Sequence, residues 1–208
     1  TPDQRKTLEK ISSRFTDPSY THVITADRGR GKSHLLGNLI VLLENLNIDN
    51  GIMVYLTAPT KSACHAIYKV LEQAAPSDHR QYVKFIPPEQ LLQTASTNDI
   101  VFVDEAASLP INLLIQYSNQ FNKLILATTT HGYEGTGKGF QIRFFNYLNT
   151  LGTSHKVYQH SLYDAVRYSN TDPLEHWLFD TFCLDCEPKG LSLNKEQVVN
   201  PFIKLLDK

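Results

Sequence analysis

A strand-like run, a glycine-bearing turn and a wide apolar helical stripe follow one another early in the chain. No other feature constrains the fold as much. His22-Val23-Ile24-Thr25-Ala26 reads as a buried strand. Ala26-Asp27-Arg28-Gly29-Arg30-Gly31-Lys32-Ser33 then opens a helix over Ser33–Asn45, where Leu35, Leu36, Leu39, Ile40, Leu42 and Leu43 form the stripe. The turn fits G-x-x-x-x-G-K-[ST], the phosphate loop, with Ala26 at the first glycine. Gly29 and Gly31 permit backbone turns that a Cβ would obstruct. The freed N–H groups converge on phosphate oxygens at the positive end of a helix. Lys32 is the type and position that reaches the β and γ phosphates, and Ser33 offers a hydroxyl to Mg²⁺. The alternative is an ordinary glycine-rich helix entry holding a chance Gly-Lys-Ser. It gives no reason for strand, loop and apolar helix to occur in this order.

The alternation continues. Ile52-Met53-Val54-Tyr55-Leu56, Val83-Lys84-Phe85-Ile86, Ile100-Val101-Phe102-Val103-Asp104 and Leu124-Ile125-Leu126-Ala127-Thr128 read as strands. Lys61–Gln73 and Leu109–Ser118 read as helices, the latter with Pro110 in its first turn, and Pro88–Gln93 as a short one. Such alternation predicts an α/β fold, a mostly parallel sheet with helices on both faces. Ligands then bind beyond the carboxyl ends of the strands. Beyond Thr153 the pattern weakens. Val157–His160 reads as one more strand, Leu174–Phe182 as a helix, and Lys195–Leu206 as a helix interrupted by Pro201.

The 208 residues suit one domain with an appendage. A net charge of −1 argues against a globally basic nucleic-acid binder and leaves room for a local basic groove. No apolar run of ~18 residues suggests a membrane span, and no charged-then-apolar signal segment opens the chain. Three cysteines fit a reducing, cytoplasmic setting better than a secreted scaffold. A start at Thr1 and not Met suggests a fragment.

An acidic pair, Asp104-Glu105, ends the most apolar strand. Buried carboxylates are costly unless they meet a cation. Asp104 is a candidate for the Mg²⁺ shell, and Glu105 for polarising water. The competing reading is an acidic helix start. Thr128-Thr129-Thr130-His131 ends the fifth strand, where Thr129 and His131 are candidates for sensing a γ phosphate, against a simply capped strand end. Thr57-Ala58-Pro59-Thr60 is either a contact for a nucleic-acid backbone or a plain turn with Thr60 as a cap. Gly132-Tyr133-Glu134-Gly135-Thr136-Gly137-Lys138-Gly139-Phe140 suggests an anion-cradling loop. Arg143 follows it and is a candidate arginine finger, or a surface residue.

Taken in order, the phosphate loop, Val103-Asp104-Glu105-Ala106-Ala107 and Thr129-Thr130-His131-Gly132 running on to Phe140 resemble the RecA-like helicase module of the RNA cytidine acetyltransferases that act on tRNA(Met). Thr1-Pro2-Asp3-Gln4 and Asp172-Pro173-Leu174-Glu175-His176-Trp177-Leu178 extend the resemblance over residues 1–186, leaving 187–208 as an appendage leading toward an absent GNAT domain. The resemblance implies a P-loop NTPase using ATP or GTP with Mg²⁺, and coupling its hydrolysis to RNA, in particular tRNA. It implies that Gln4 reads adenine, that Ala26, Asp27, Arg28, Gly29, Arg30, Gly31, Lys32, Ser33, His34 and Leu35 hold the nucleotide, and that Arg143 contacts it. Acetyl-CoA belongs to the GNAT domain of such proteins, so acetyl transfer is not expected of this chain alone. Its partners would be RNA and the remaining domains, with no membrane.

Two rival functions remain at this point. One is an unrelated helicase-like or DNA-repair ATPase. The other is a nucleotide-gated RNA-binding module that does not hydrolyse. Cys183-Leu184-Asp185-Cys186 lacks the second pair a zinc site needs. His155, His160 and His176 show no ligand spacing, and Trp177 reads as a core residue. Arg28, Arg30, Lys61, Lys138 and Arg143 are the candidates for a basic rim.

Overall fold

Strand β1 (Tyr20–Ala26) is buried along nearly its whole length because it has a neighbour on each edge and helices over both faces. The computed structural model describes residues 1–45, 52–74, 83–130, 143–150 and 156–166, together with 173, 174, 177 and 181. The chain divides into two units, Thr1–Pro173 and Leu174–Lys208.

In the first unit the order is α1 (Pro2–Ser12), β1, α2 (Lys32–Asn45), β2 (Val54–Thr57), a 3₁₀ turn (Lys61–Cys64) and α3 (His65–Ala74). There follow β3 (Val83–Phe85), α4 (Pro88–Thr94), β4 (Ile100–Val103), a second 3₁₀ turn (Ala106–Ser108), α5 (Ile111–Gln120), β5 (Lys123–Thr129) and β6 (Lys156–Leu162). The six strands form one sheet in the order β3-β2-β4-β5-β1-β6, and every pairing is parallel. The predicted α/β fold is the observed one.

Alternation along the strands feeds two cores. Ile24, Leu56, Ile100, Phe102, Ile125 and Ala127 pack with Ile11, Leu35, Leu36, Leu39, Ile67 and Leu71 from α1, α2 and α3. Val23, Val101, Val103, Leu124 and Leu126 face the other way, toward Leu91, Leu114, Tyr117, Phe144 and Leu148. Strands covered on both faces read as continuous apolar runs, which is why they were visible in the sequence. α2 comes close to α3 because Gly37 has no side chain; a Cβ there would lie 2.8 Å from Val70 Cβ.

Helix α1 has no counterpart in the predicted elements. A capping box starts it, with Thr1 accepting from Gln4 N and Gln4 reaching back. α5 also starts later than expected, with Pro110 as its N-cap and Leu109 extended at φ −93°, ψ 152°. A residue before proline is sterically turned away from helix. The strand expected at Val157–His160 is β6, which pairs with β1. Of the second unit, Leu174, Trp177 and Thr181 are described, all helical. Trp177, expected in the core, is 58% exposed. The expected helix over Lys195–Leu206, and Cys183, Cys186, His155 and His176, lie outside the described residues. Among the described residues, no helix is long and apolar enough to cross a membrane.

Candidate functional site

The sheet order puts β5 between β1 and β4, so the end of β5 lies between the phosphate loop and the acidic pair. Ala26 pairs with Thr129 in register, and Thr130 N donates to Ala26 O at 3.1 Å. The loop leaves β1 through two residues with positive φ, Gly29 at 81° and Gly31 at 79°. Both glycines are therefore required by backbone geometry.

Lys32 is buried, and its ammonium folds back onto the loop. Nζ donates to Ala26 O at 3.1 Å and Asp27 O at 3.3 Å. Burial lowers its pKa, and the carboxylates of Glu105, Asp104 and Asp27 oppose that shift. A cation held among carbonyls and acids is poised for an anion.

Asp104 is fully buried. Its N–H donates to Thr57 O at 2.9 Å, which fixes the end of β4 against β2. Oδ1 accepts from Glu105 N at 2.9 Å, while Oδ2 is buried without a hydrogen-bond partner. Burial pushes the carboxyl up to about 6, and the Ser33 hydroxyl is the strongest opposing influence. An orphaned carboxylate oxygen beside a serine hydroxyl is a hard-oxygen donor set, the kind Mg²⁺ takes when phosphates and waters complete its shell. Among the described residues, no three His, Cys, Asp or Glu side chains gather as a metal site of their own.

Glu105 is the one non-glycine residue with positive φ among those described, at φ 50°, ψ 45°. The left-handed region is uncommon for such a residue and persists where its surroundings hold it. Thr129 Oγ1 donates to Glu105 Oε2 at 3.2 Å, and Ala107 N donates to Thr128 Oγ1 at 3.2 Å. The hydroxyls at the end of β5 thus hold the segment carrying the acid. The sequence marked Thr129 as a candidate but gave no sign of this partner.

Gln4 lies against the loop. Its Nε2 donates to Arg30 O at 3.1 Å and Gly31 O at 3.2 Å. His34 is exposed, and with Gln4, Arg5 and Asn38 it lines a cavity of about 790 Å³ between α1 and α2. The Leu35 side chain is buried in the core, and its N–H donates to Gly31 O at 3.0 Å. Asp27 and Arg30 are partly exposed and Arg28 is exposed. Lys61 and Arg143 are exposed too, Arg143 at the start of a helical stretch over 143–148. No hydrogen bond or ion pair among the described residues draws Arg143 to Lys32 or Asp104. Thr60 makes no capping hydrogen bond; its hydroxyl pairs with that of Ser62 at 3.0 Å. His131 and the glycine-rich segment with Lys138 lie outside the described residues.

A parallel α/β sheet with a glycine loop after β1 and a buried acid after β4 defines the class: a RecA-like phosphate-loop domain. Residues 23–185 match the RNA cytidine acetyltransferase NAT10/TcmA, helicase domain, and the chain belongs to that family. The family removes the rival of an unrelated ATPase. Proteins named tRNA(Met) cytidine acetyltransferase TmcA from Idiomarina loihiensis and Actinobacillus pleuropneumoniae are 35% and 38% identical to it, over 98% and 86% of this chain. That from Thermofilum pendens is 32% identical over 88% of this chain. The chain spans only 31%, 27% and 25% of the length of those relatives. Among solved structures, a Pif1 helicase from Candida albicans is similar at 15% identity and a TM-score of 0.48, over 87% of this chain and 43% of that one.

Proposed function

We propose that this chain is the nucleotide-hydrolysing, helicase-like module of a cytoplasmic tRNA(Met) cytidine N4-acetyltransferase. The observation that carries this reading is Asp104: a fully buried carboxylate with one unpaired oxygen, next to Ser33 and within the field of Lys32. Burying such a group unpaired costs several kcal/mol in general, and a site that takes up a cation explains the expense. Ser33 and Asp104 would hold Mg²⁺, and Lys32 would leave the loop carbonyls to neutralise a phosphate of ATP or GTP. The metal supplies charge neutralisation at the transferring phosphoryl group. Glu105, held by Thr129, orients the attacking water. Arg143 stabilises developing negative charge once brought to the site.

In the whole protein this module couples hydrolysis to the handling of tRNA, and a separate GNAT domain uses acetyl-CoA. A second reading, a nucleotide-gated module that does not turn over alone, is favoured by one observation: Arg143 is exposed. The deciding measurement is Mg²⁺-dependent hydrolysis of ATP and GTP by this chain, with and without tRNA. Turnover lost in both Lys32→Ala and Glu105→Gln supports the hydrolytic motor. Binding without turnover, lost in Lys32→Ala alone, supports the gated module. No nucleotide binding in the parent chain overturns both.

A further inference from the structure

The phosphate loop is held from outside by two segments far apart in sequence. Gln4, in the first turn of α1, donates Nε2 to the carbonyls of Arg30 and Gly31. Its amide occupies the space where a Cβ on Gly31 would sit. From the other side, Val166 N donates to Gly29 O at 3.2 Å, and the Val166 side chain lies against Gly31. The two segments are tied together. Asp3 Oδ2 accepts from the N–H groups of Tyr163 at 2.6 Å and Asp164 at 2.9 Å, and Asp164 Oδ2 accepts from Asp3 N at 3.3 Å.

These contacts set the direction of the loop's donors. In a planar trans peptide the carbonyl of one residue and the N–H of the next point in opposite directions. Anchoring the carbonyls of Gly29, Arg30 and Gly31 outward turns the N–H groups of Arg30, Gly31 and Lys32 inward. Converging N–H groups form an anion-binding nest. The nest is thus shaped before any anion arrives, which lowers the ordering cost of binding.

We propose that Gln4 and the Val166 backbone, braced by Asp3, are positioning groups that preform this nest, so that Gln4 acts on the triphosphate through the loop's backbone. The proposal rests on the reading of the loop as a nucleotide site. Its ligand chemistry is the polyphosphate, so the nest takes inorganic tripolyphosphate by the same contacts as a nucleoside triphosphate.

The test is the affinity of the 208-residue chain for ATP, GTP and inorganic tripolyphosphate, each with Mg²⁺, by calorimetry. Gln4→Met removes the donors. It should weaken tripolyphosphate about tenfold, and ATP and GTP by at least as much. Asp3→Ala, which releases the Val166 segment, should weaken all three in the same way. Ile11→Val loosens the core packing of α1 but leaves Gln4, Asp3 and Val166 in place, so it should lower stability without changing affinity. The proposal is overturned if Gln4→Met weakens ATP but spares tripolyphosphate. It is overturned equally if Ile11→Val reproduces the Gln4→Met loss. A parent chain that binds none of the three ligands overturns the reading of the loop itself.

Discussion

Thr129 Oγ1 donates a 3.2 Å hydrogen bond to Glu105 Oε2, which ties the end of β5 to the acid that follows Asp104. Thr129 also stands beside Ala26 in the β1–β5 register, so one residue touches both halves of the site. Thr129→Val keeps the shape and removes the donor. We expect kcat for nucleotide hydrolysis to fall about tenfold with KM within about twofold, since a positioning contact acts in the transition state. Thr129→Ser should restore the rate. Steady-state kinetics on the two variants checks this; an unchanged kcat in Thr129→Val would sink the positioning role.

Asp104 is costly in the ligand-free domain. Its carboxyl is pushed up to about 6 by burial, so at neutral pH it is ionised against its surroundings. Asp104→Asn should therefore raise the stability of the free domain by about 1–3 kcal/mol in urea unfolding at pH 7.5. The same variant should lose Mg²⁺-dependent turnover by at least about a hundredfold. A stability cost in place of a gain would count against the unpaired-carboxylate account.

His22 and His160 face each other across β1 and β6, Nδ1 to Nε2, at 3.0 Å. Tyr158 stacks on His22 at 4.9 Å, and Arg14 lies over Tyr158. Burial, chiefly, holds His22 down at about 3 and His160 at about 4. An unfolded histidine titrates near 6.5, so the unfolded chain takes up protons first as the pH falls. Stability is full above pH ~6.5 and drains away toward the folded values; by pH 5 His22 alone removes about 2 kcal/mol. Urea midpoints at pH 7.5 and 5 should show that loss in the parent chain. His22→Leu should flatten the profile, and an equally steep profile in that variant would contradict the assignment.

Gly37→Ala sets two effects against each other. Alanine favours a helix interior by about 1 kcal/mol over glycine. The new methyl meets Val70 Cβ at 2.8 Å, and a Cβ cannot swing aside as a flexible side-chain end does. Overpacking of this kind costs about 1–3 kcal/mol, so a net loss of about 1 kcal/mol is expected by thermal unfolding. A stabilised variant would mean that α2 and α3 separate freely.

The strands and the loop were legible because burial on both faces leaves an unbroken apolar run and a glycine loop has its own spelling. α1 was not, since it buries only Thr7 and Ile11 and shows no wide stripe; its signal lay in Thr1 and Gln4, a capping box. The candidate acids and Lys32 could be placed from motif order. The left-handed Glu105 and the Asp3 links to Tyr163 and Asp164 could not. The Asp3 links join residues about 160 positions apart, and local pattern carries no trace of such a pairing.

Strand β1 has a consequence for synthesis. It is made before both of its sheet partners, Lys123–Thr129 and Lys156–Leu162. A ribosome must deliver about a hundred further residues before either edge of β1 is covered. Until then its unpaired backbone is a template for wrong partners. Folding of this domain is thus dominated by distant contacts and should be slow for its size, and a chain cut before Lys156 should expose β1 and aggregate.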